Sequence, residues 1–169
     1  YSIPVGGSLP AVAATAYDSI IKESYPVSLD ASSIDVNTPG LYVVPIKSKN
    51  KFGYISSTNV AIAVTDIDPA WNLSGEYART ANGAIVNLTQ IANGLYEVDN
   101  VGGEPSLPVV GYFVQINDTT IDFPLQSTSN VGEIDCTGET LTISGVDTSY
   151  GRYVVNASFG PAFRTFVKQ

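Results

Sequence analysis

Hydrophobic positions in this chain come in short runs. Val, Ile, Tyr and Thr alternate with polar residues, and Gly, Pro, Asn or Asp interrupts each run at intervals of about 8–12 residues. A period of two belongs to half-buried strands, so the pattern predicts an antiparallel all-β protein. Only 11–24, AVAATAYDSIIKES, is compatible with helix. Its apolar positions do not form a good face, and strand with loop is the better reading. In the first third, strands are predicted over 2–5, 25–29, 41–46 and 60–65. Pro39-Gly40 supplies a turn, with φ fixed by proline and left-handed freedom from glycine.

The alternation breaks at Asp66-Ile67-Asp68-Pro69, where two acids and a proline follow a strand. This divides the chain into 1–67 and 68–169. Strands in the second part are predicted over 73–80, 85–91, 95–99, 109–116, 119–125, 131–136, 140–145, 152–159 and 162–168. Asn82-Gly83 and Asn93-Gly94 are tight-turn pairs, and Asn117-Asp118 and Gly138-Glu139 fit two-residue hairpins. Gly102-Gly103 and Pro105 mark a longer loop. Short links between consecutive strands predict a meander closed as a small barrel or sandwich. Parity assigns Val110, Tyr112, Val114 and Ile116 to its core, with Ile121, Phe123 and Leu125, and with Tyr153, Val155, Ala157 and Phe159. Phe113 and Phe166 fall on the opposite parity, on a second buried face or exposed.

Composition narrows the function. The 169 residues are 44% hydrophobic and 14% charged, enough apolar content for a core and too little charge for disorder. With 8 basic and 16 acidic residues the formal net charge is −8, which argues against nucleic acid and against anionic membrane surfaces. No apolar run reaches the roughly 18 residues of a transmembrane helix. A chain opening on Tyr1 without Met is read as either a mature product or a trimmed chain, with any signal segment already removed. The single cysteine, Cys136, excludes an internal disulfide framework and reads as a buried small hydrophobe. Lys47, Lys49 and Lys51 share one face of an extended segment and read as a solvated strand end that discourages edge pairing. A polyanion site is the alternative.

Candidate chemistry is sparse. The absence of histidine removes Ser-His-Asp and Cys-His machinery and the commonest metal ligand. No glycine-rich phosphate loop has the required spacing. Paired carboxylates among Glu76, Glu97, Asp99, Asp122, Glu133 and Asp135 leave a glycosidase as a minor alternative. Asp66 and Asp68, with Asn72, leave a calcium-stiffened junction as another. Neither displaces the main expectation, which is a protein without catalytic residues, metal or cofactor. The off-pattern aromatics Trp71, Phe113 and Phe166 are the candidate ligand-binding residues, as platforms for a glycan. The competing reading of Trp71 is a plug at the domain interface.

The segment Ser32–Val44 with Val36-Asn37-Thr38-Pro39-Gly40-Leu41-Tyr42-Val43-Val44, then Lys51-Phe52-Gly53-Tyr54 and Ala61-Ile62-Ala63-Val64, resembles bacterial surface Ig-like modules. The resemblance spans about residues 1–67 and implies an Ig-like β-sandwich. The second part resembles the C-terminal domain of Bacteroidetes-type surface lipoproteins of unknown function. That likeness lies in Leu73-Ser74-Gly75-Glu76-Tyr77-Ala78-Arg79-Thr80, Gly94-Leu95-Tyr96-Glu97-Val98 and Gly102-Gly103. It implies a secreted chain, lipid-anchored upstream of Tyr1, on the outer-membrane surface or in the periplasm, often in glycan-uptake contexts. The expectation is a non-enzymatic ectodomain that binds a glycan, with the Ig-like module as spacer and any site in the C-terminal domain. The alternative is a structural or adhesive protein contacting other surface proteins.

Overall fold

The computed structural model describes residues 1–144 and 147–169. It is all-β, as the alternation predicts, and no helix among the described residues is long and apolar enough to cross a membrane.

The first part builds β1 (Ser2–Ile3), β2 (Thr15–Asp18), β3 (Glu23–Pro26), β4 (Ser28–Leu29), β5 (Gly40–Lys49) and β6 (Ile55–Val64). Strands β2 and β3 form a separate hairpin. The others make a four-stranded sheet in the order β1-β6-β5-β4, with β1 parallel to β6. The segment 11–24 thus contributes a strand and a turn. Strands β5 and β6 pair over their full ten residues, from Gly40 opposite Val64 to Lys49 opposite Ile55. One face of this ribbon buries Val44, Ile62 and Val64 with Ile3, covered by Ile34 and Val36 from the preceding loops. The other face carries Leu41 and Ala63. Two buried faces explain the nearly continuous apolar run of 60–64.

The second part builds β7 (Gly75–Arg79), β8 (Ile85–Ala92), β9 (Leu95–Val98), β10 (Gly111–Gln115), β11 (Ile121–Asp122), β12 (Gln126–Thr128), β13 (Gly132–Ser144), β14 (Asp147–Val155) and β15 (Phe163–Lys168). They form one nine-stranded antiparallel sheet in the order β11-β10-β9-β8-β7-β15-β14-β13-β12. The two edge strands are consecutive in the chain, so the sheet curls until its edges meet. At the seam the Cys136 amide donates to the Phe123 carbonyl at 3.3 Å. The Gln126 carboxamide accepts from the Tyr112 amide at 2.7 Å and donates to the Tyr112 carbonyl at 2.9 Å, satisfying β10 as a neighbouring strand would.

Several expectations need correction. Segments 131–136 and 140–145 are not two strands joined by a Gly138-Glu139 hairpin. They are one 13-residue strand, β13, whose register against β14 shifts between Thr137 and Thr140. Gly138 takes φ +65° in this bulge, so the glycine marks an irregularity in a continuing strand. Gly145, the last residue of the predicted strand, lies outside the described residues. Strand parity is also reversed in two places. Gly111, Phe113 and Gln115 of β10 are buried, and Phe113 joins the barrel core. Tyr112, Val114 and Ile116 instead pack outward against Leu41 and Ala63 of the first sheet, and Val110 is exposed. In β14 the buried set is Tyr150, Arg152 and Val154, whereas Tyr153 and Val155 are exposed. Strand β10, covered on its outside, is apolar at both parities, so alternation cannot tell its faces apart; in β14 the inward position is taken by Arg152, which hydropathy assigns to solvent.

The barrel is filled by aromatic rings. Tyr96 stacks on Phe113 at 5.2 Å between centroids, Tyr150 on Phe166 at 4.9 Å, and Tyr77 meets Tyr150 edge-on at 5.1 Å. Among them lies the fully buried Arg152. Its guanidinium sits 5.0 Å from the Phe123 and Tyr150 ring centres and 5.4 Å from Phe166, and its Nη2 donates to the Val101 carbonyl at 2.8 Å. Arg79 and Arg164 extend the cationic cluster, with Glu104 paired to Arg79. Gly102 and Gly103 pass too close to Phe159, Arg79 and Phe166 for any Cβ, so close packing accounts for this glycine pair. Cys136 is buried at the seam, and burial pushes its thiol up to about 12.

The two sheets are joined by an apolar patch of Leu41, Ala63, Leu95 and Val114 and by specific hydrogen bonds. The Leu41 amide donates to Asp122 Oδ2 at 2.9 Å, Thr65 Oγ1 to the Gln115 carbonyl at 2.8 Å, and Asn93 Nδ2 to the Ile67 carbonyl at 2.9 Å. Gly94, at φ +66°, lies where a Cβ would come within 2.6 Å of Ile67 Cγ2. Gly94→Ala therefore combines backbone strain with a clash, and urea denaturation should show a loss of about 2–4 kcal/mol. Burial holds the Asp122 carboxyl above its ordinary range, with Asp135 adding repulsion and the Leu41 amide opposing. The folded protein therefore favours protonated Asp122, and stability from this group falls as pH rises through its folded pKa. Asp122→Asn keeps an acceptor for Leu41 without the charge. It should match or exceed the parent in thermal stability at neutral pH, an advantage that shrinks on acidification below the carboxylate range.

Candidate functional site

An open cleft of about 420 Å³ lies where the turn between β2 and β3 faces the turn between β5 and β6. Its walls include Tyr17, Tyr25 and Tyr54, with Asp18 and Asn50 between them. Tyr17 is 63% and Tyr54 76% exposed, which is far from the usual half-buried state of a strand tyrosine. Phe52 and Ile20 are also exposed at these two turns.

Asn50 organises the site. Its Oδ1 accepts from the amides of Phe52 and Tyr54, both at 3.0 Å, and its own amide donates to the Tyr54 carbonyl. Gly53 takes φ +90° within this turn, which a side chain would strain. Asn50 Nδ2 then donates to Asp18 Oδ2 at 3.0 Å, tying one turn to the other. Asp18 Oδ1 accepts from the Ile20 and Ile21 amides, and Lys22 completes that turn in the left-handed region at φ +58°. The third tyrosine is fixed from behind. Tyr25 Oη donates to Glu23 Oε2 at 2.6 Å, while Lys51 Nζ donates to Glu23 Oε1 at 2.6 Å. Two rings are thus left open to solvent on a hydrogen-bonded frame, and the acidic groups near them are already partnered.

Two lysines of the row have partners. Lys47 pairs with Asp30 at 3.0 Å and Lys51 with Glu23, so the polyanion reading is left with Lys49. Asp66 and Asp68 serve local structure: Asp66 Oδ1 accepts from the Val5 amide and Asp68 Oδ1 from the Ala70 amide, both at 2.9 Å. Among the described residues no group of three or more His, Cys, Asp or Glu side chains is placed to hold a metal ion.

The sequence-predicted platform residues are not brought together. Phe113 and Phe166 are fully buried inside the barrel, where no ligand can stack on them. Their off-pattern parity reflects the inward face described above. Trp71 is 37% exposed, on the turn closed by its amide donating to the Asp68 carbonyl at 2.9 Å. The cleft tyrosines were missed because a tyrosine next to a strand end reads as core. The signal was present in Lys51-Phe52-Gly53-Tyr54, where aromatics sit within a turn and have no strand partner to bury them.

No protein-family model matches the chain, and no curated protein matches it. Among solved structures it is similar to a lipoprotein from Bacteroides thetaiotaomicron, at 21% sequence identity and a TM-score of 0.44. The match covers 99% of this chain and 94% of that one.

The electrostatics predict a cleft indifferent to pH. The hydrogen bond from Asn50, and then the Ile21 amide, hold Asp18 below its ordinary value; the Lys51 ammonium and the Tyr25 hydroxyl do the same for Glu23. For carboxyls depressed in this way, the stabilising contribution is present above the unfolded pKa and is lost only as pH falls through the folded one. With no histidine in the chain, chemical shifts of the Tyr17, Asn50 and Tyr54 amides should stay constant from about pH 5 to about pH 8.

Proposed function

We propose that this chain is a non-enzymatic, ligand-binding part of a cell-envelope lipoprotein and that its ligand is a glycan. The observation that carries this reading is the pair of solvent-exposed tyrosines, Tyr17 and Tyr54, flanking a cleft held rigid by Asn50 and Asp18. Sugar rings present apolar C–H faces bordered by hydroxyls. An aromatic face with nearby amide, hydroxyl and carboxylate groups complements both. Tyrosine also orders at small entropic cost, since it has only two side-chain torsions. In this reading the first unit, with its Ig-like sequence resemblance, carries the site rather than acting as a spacer, and the barrel is its support. The envelope location and lipid anchor are what the sequence resemblance of the second part implies.

A protein-contact role has one observation in its favour. Tyr153, Val155 and Phe163 are exposed together on the outer wall of the barrel, with Tyr153 and Phe163 packed edge-to-face at 4.9 Å. This patch is separate from the cleft and provides an internal control.

A glycan array probed with the parent, Tyr17→Ala, Tyr54→Ala and Tyr153→Ala separates the readings. Both cleft tyrosines are exposed, so their substitutions should alter stability by no more than about 0.5 kcal/mol. Each should weaken glycan binding roughly tenfold, about 1.4 kcal/mol, whereas Tyr153→Ala should leave it unchanged. Absence of binding by the parent to every glycan would discard this reading in favour of protein contact.

A further inference from the structure

The cleft beneath Tyr17 and Tyr54 continues past Ser48. A second hollow of about 230 Å³ adjoins it, lined by Thr15, Val27, Ile46, Ser57 and Thr58, and the two have Ala16, Ser48 and Ser56 in common. The floor follows the ladder of the long ribbon: Ile46 pairs with Thr58, and Ser48 with Ser56, on the same face. Strand β2 forms one wall through Thr15 and Ala16. Both hollows therefore lie in one trough running along β5 and β6. From Tyr54 to Thr58 the trough extends over four residue steps, roughly 13 Å at the rise of a strand. That is longer than a single pyranose ring.

The two ends differ in chemistry. One is walled by tyrosines, the other by Thr15 and Thr58 over the aliphatic side chains of Val27 and Ile46. The shared middle is lined by Ala16, Ser48 and Ser56, residues small enough to keep the floor low. The acidic groups at the cleft are already partnered, Asp18 by Asn50 and Glu23 by Lys51. Among the described residues no lysine or arginine lines either hollow, and the chain's net charge of −8 repels an anionic ligand.

We propose that this trough takes a neutral oligosaccharide lengthwise, one sugar stacked at the tyrosine end and the next held in the hydroxyl-lined hollow. The inference rests on the glycan reading above and adds to it the length and charge of the ligand.

The test uses neutral homo-oligosaccharides of one to six units, β1,4- and α1,4-linked, with a polyuronate series as comparison, titrated by NMR. Affinity in one neutral series should rise roughly tenfold from one unit to a short oligomer and then level off. Thr58→Tyr fills the second hollow from an exposed strand position that tolerates tyrosine. It should abolish the gain with length and leave single-unit affinity intact. Thr15→Tyr, on the opposite wall, should do the same and serves if Thr58→Tyr fails to fold. Equal affinity for one unit and for longer chains would overturn the trough while leaving the glycan reading standing. A length gain that persists in both folded variants, or tighter binding of polyuronates, would overturn it as well. No binding of any series by the parent would overturn both readings.

Discussion

A sheet of nine strands must bury one face, and this one does so by curling around aromatic rings and a guanidinium. Arg152 is the demanding member of that interior. Its guanidinium is fully buried, where water cannot reach it. Three ring faces and one backbone carbonyl accommodate it in place of a carboxylate. Tyr150 and Phe166 are at once the stacked centre of the core and two walls of that cage. Packing and electrostatics are therefore met by the same side chains, which fixes how β14 and β15 lie against each other and how far the barrel can close.

The support for the cleft is built outward from there. Barrel strand β10 turns Val114 away from the interior onto Leu41 and Ala63, so the same strand that fills the barrel also seats the first sheet. That sheet is dominated by the long β5–β6 ribbon. Its root is clamped against the barrel by Asp122 and Thr65, and its tip carries Asn50 and Tyr54. A cleft at the far end of a clamped ribbon keeps its rings exposed without relying on a flexible loop.

Much of the architecture was legible in the sequence. Alternation and turn residues placed most strands, and Asp66–Pro69 lies between the last strand of the first sheet and the first strand of the second. What failed was the inside–outside assignment, and the reason is physical. Tyr112, Val114 and Ile116 are apolar because a second sheet covers them, while Arg152 faces inward against its own hydropathy because aromatic faces receive it. A tertiary contact thus overrode the period-two rule in both strands. Gly138 was misread because a bulge and a turn make the same demand on one backbone angle. The cleft was harder still to foresee, because Tyr17 and Tyr54 come to one site through the Asp18–Asn50 and Glu23–Lys51 bonds, which join residues distant in sequence.

Strand β15 is the last to be synthesised among these elements, yet it lies in the interior of the sheet, between β7 and β14. Until it arrives, both neighbours are open edges and the two halves of the barrel are joined only through the seam of Tyr112, Phe123, Gln126 and Cys136. A chain lacking this strand would therefore present no closed barrel to a protease or chaperone, and ordering of the second unit would come as a single late event. The same placement links the oldest and youngest segments of the barrel in one hydrogen-bond ladder, a high-contact-order arrangement expected to fold slowly and to open as a whole.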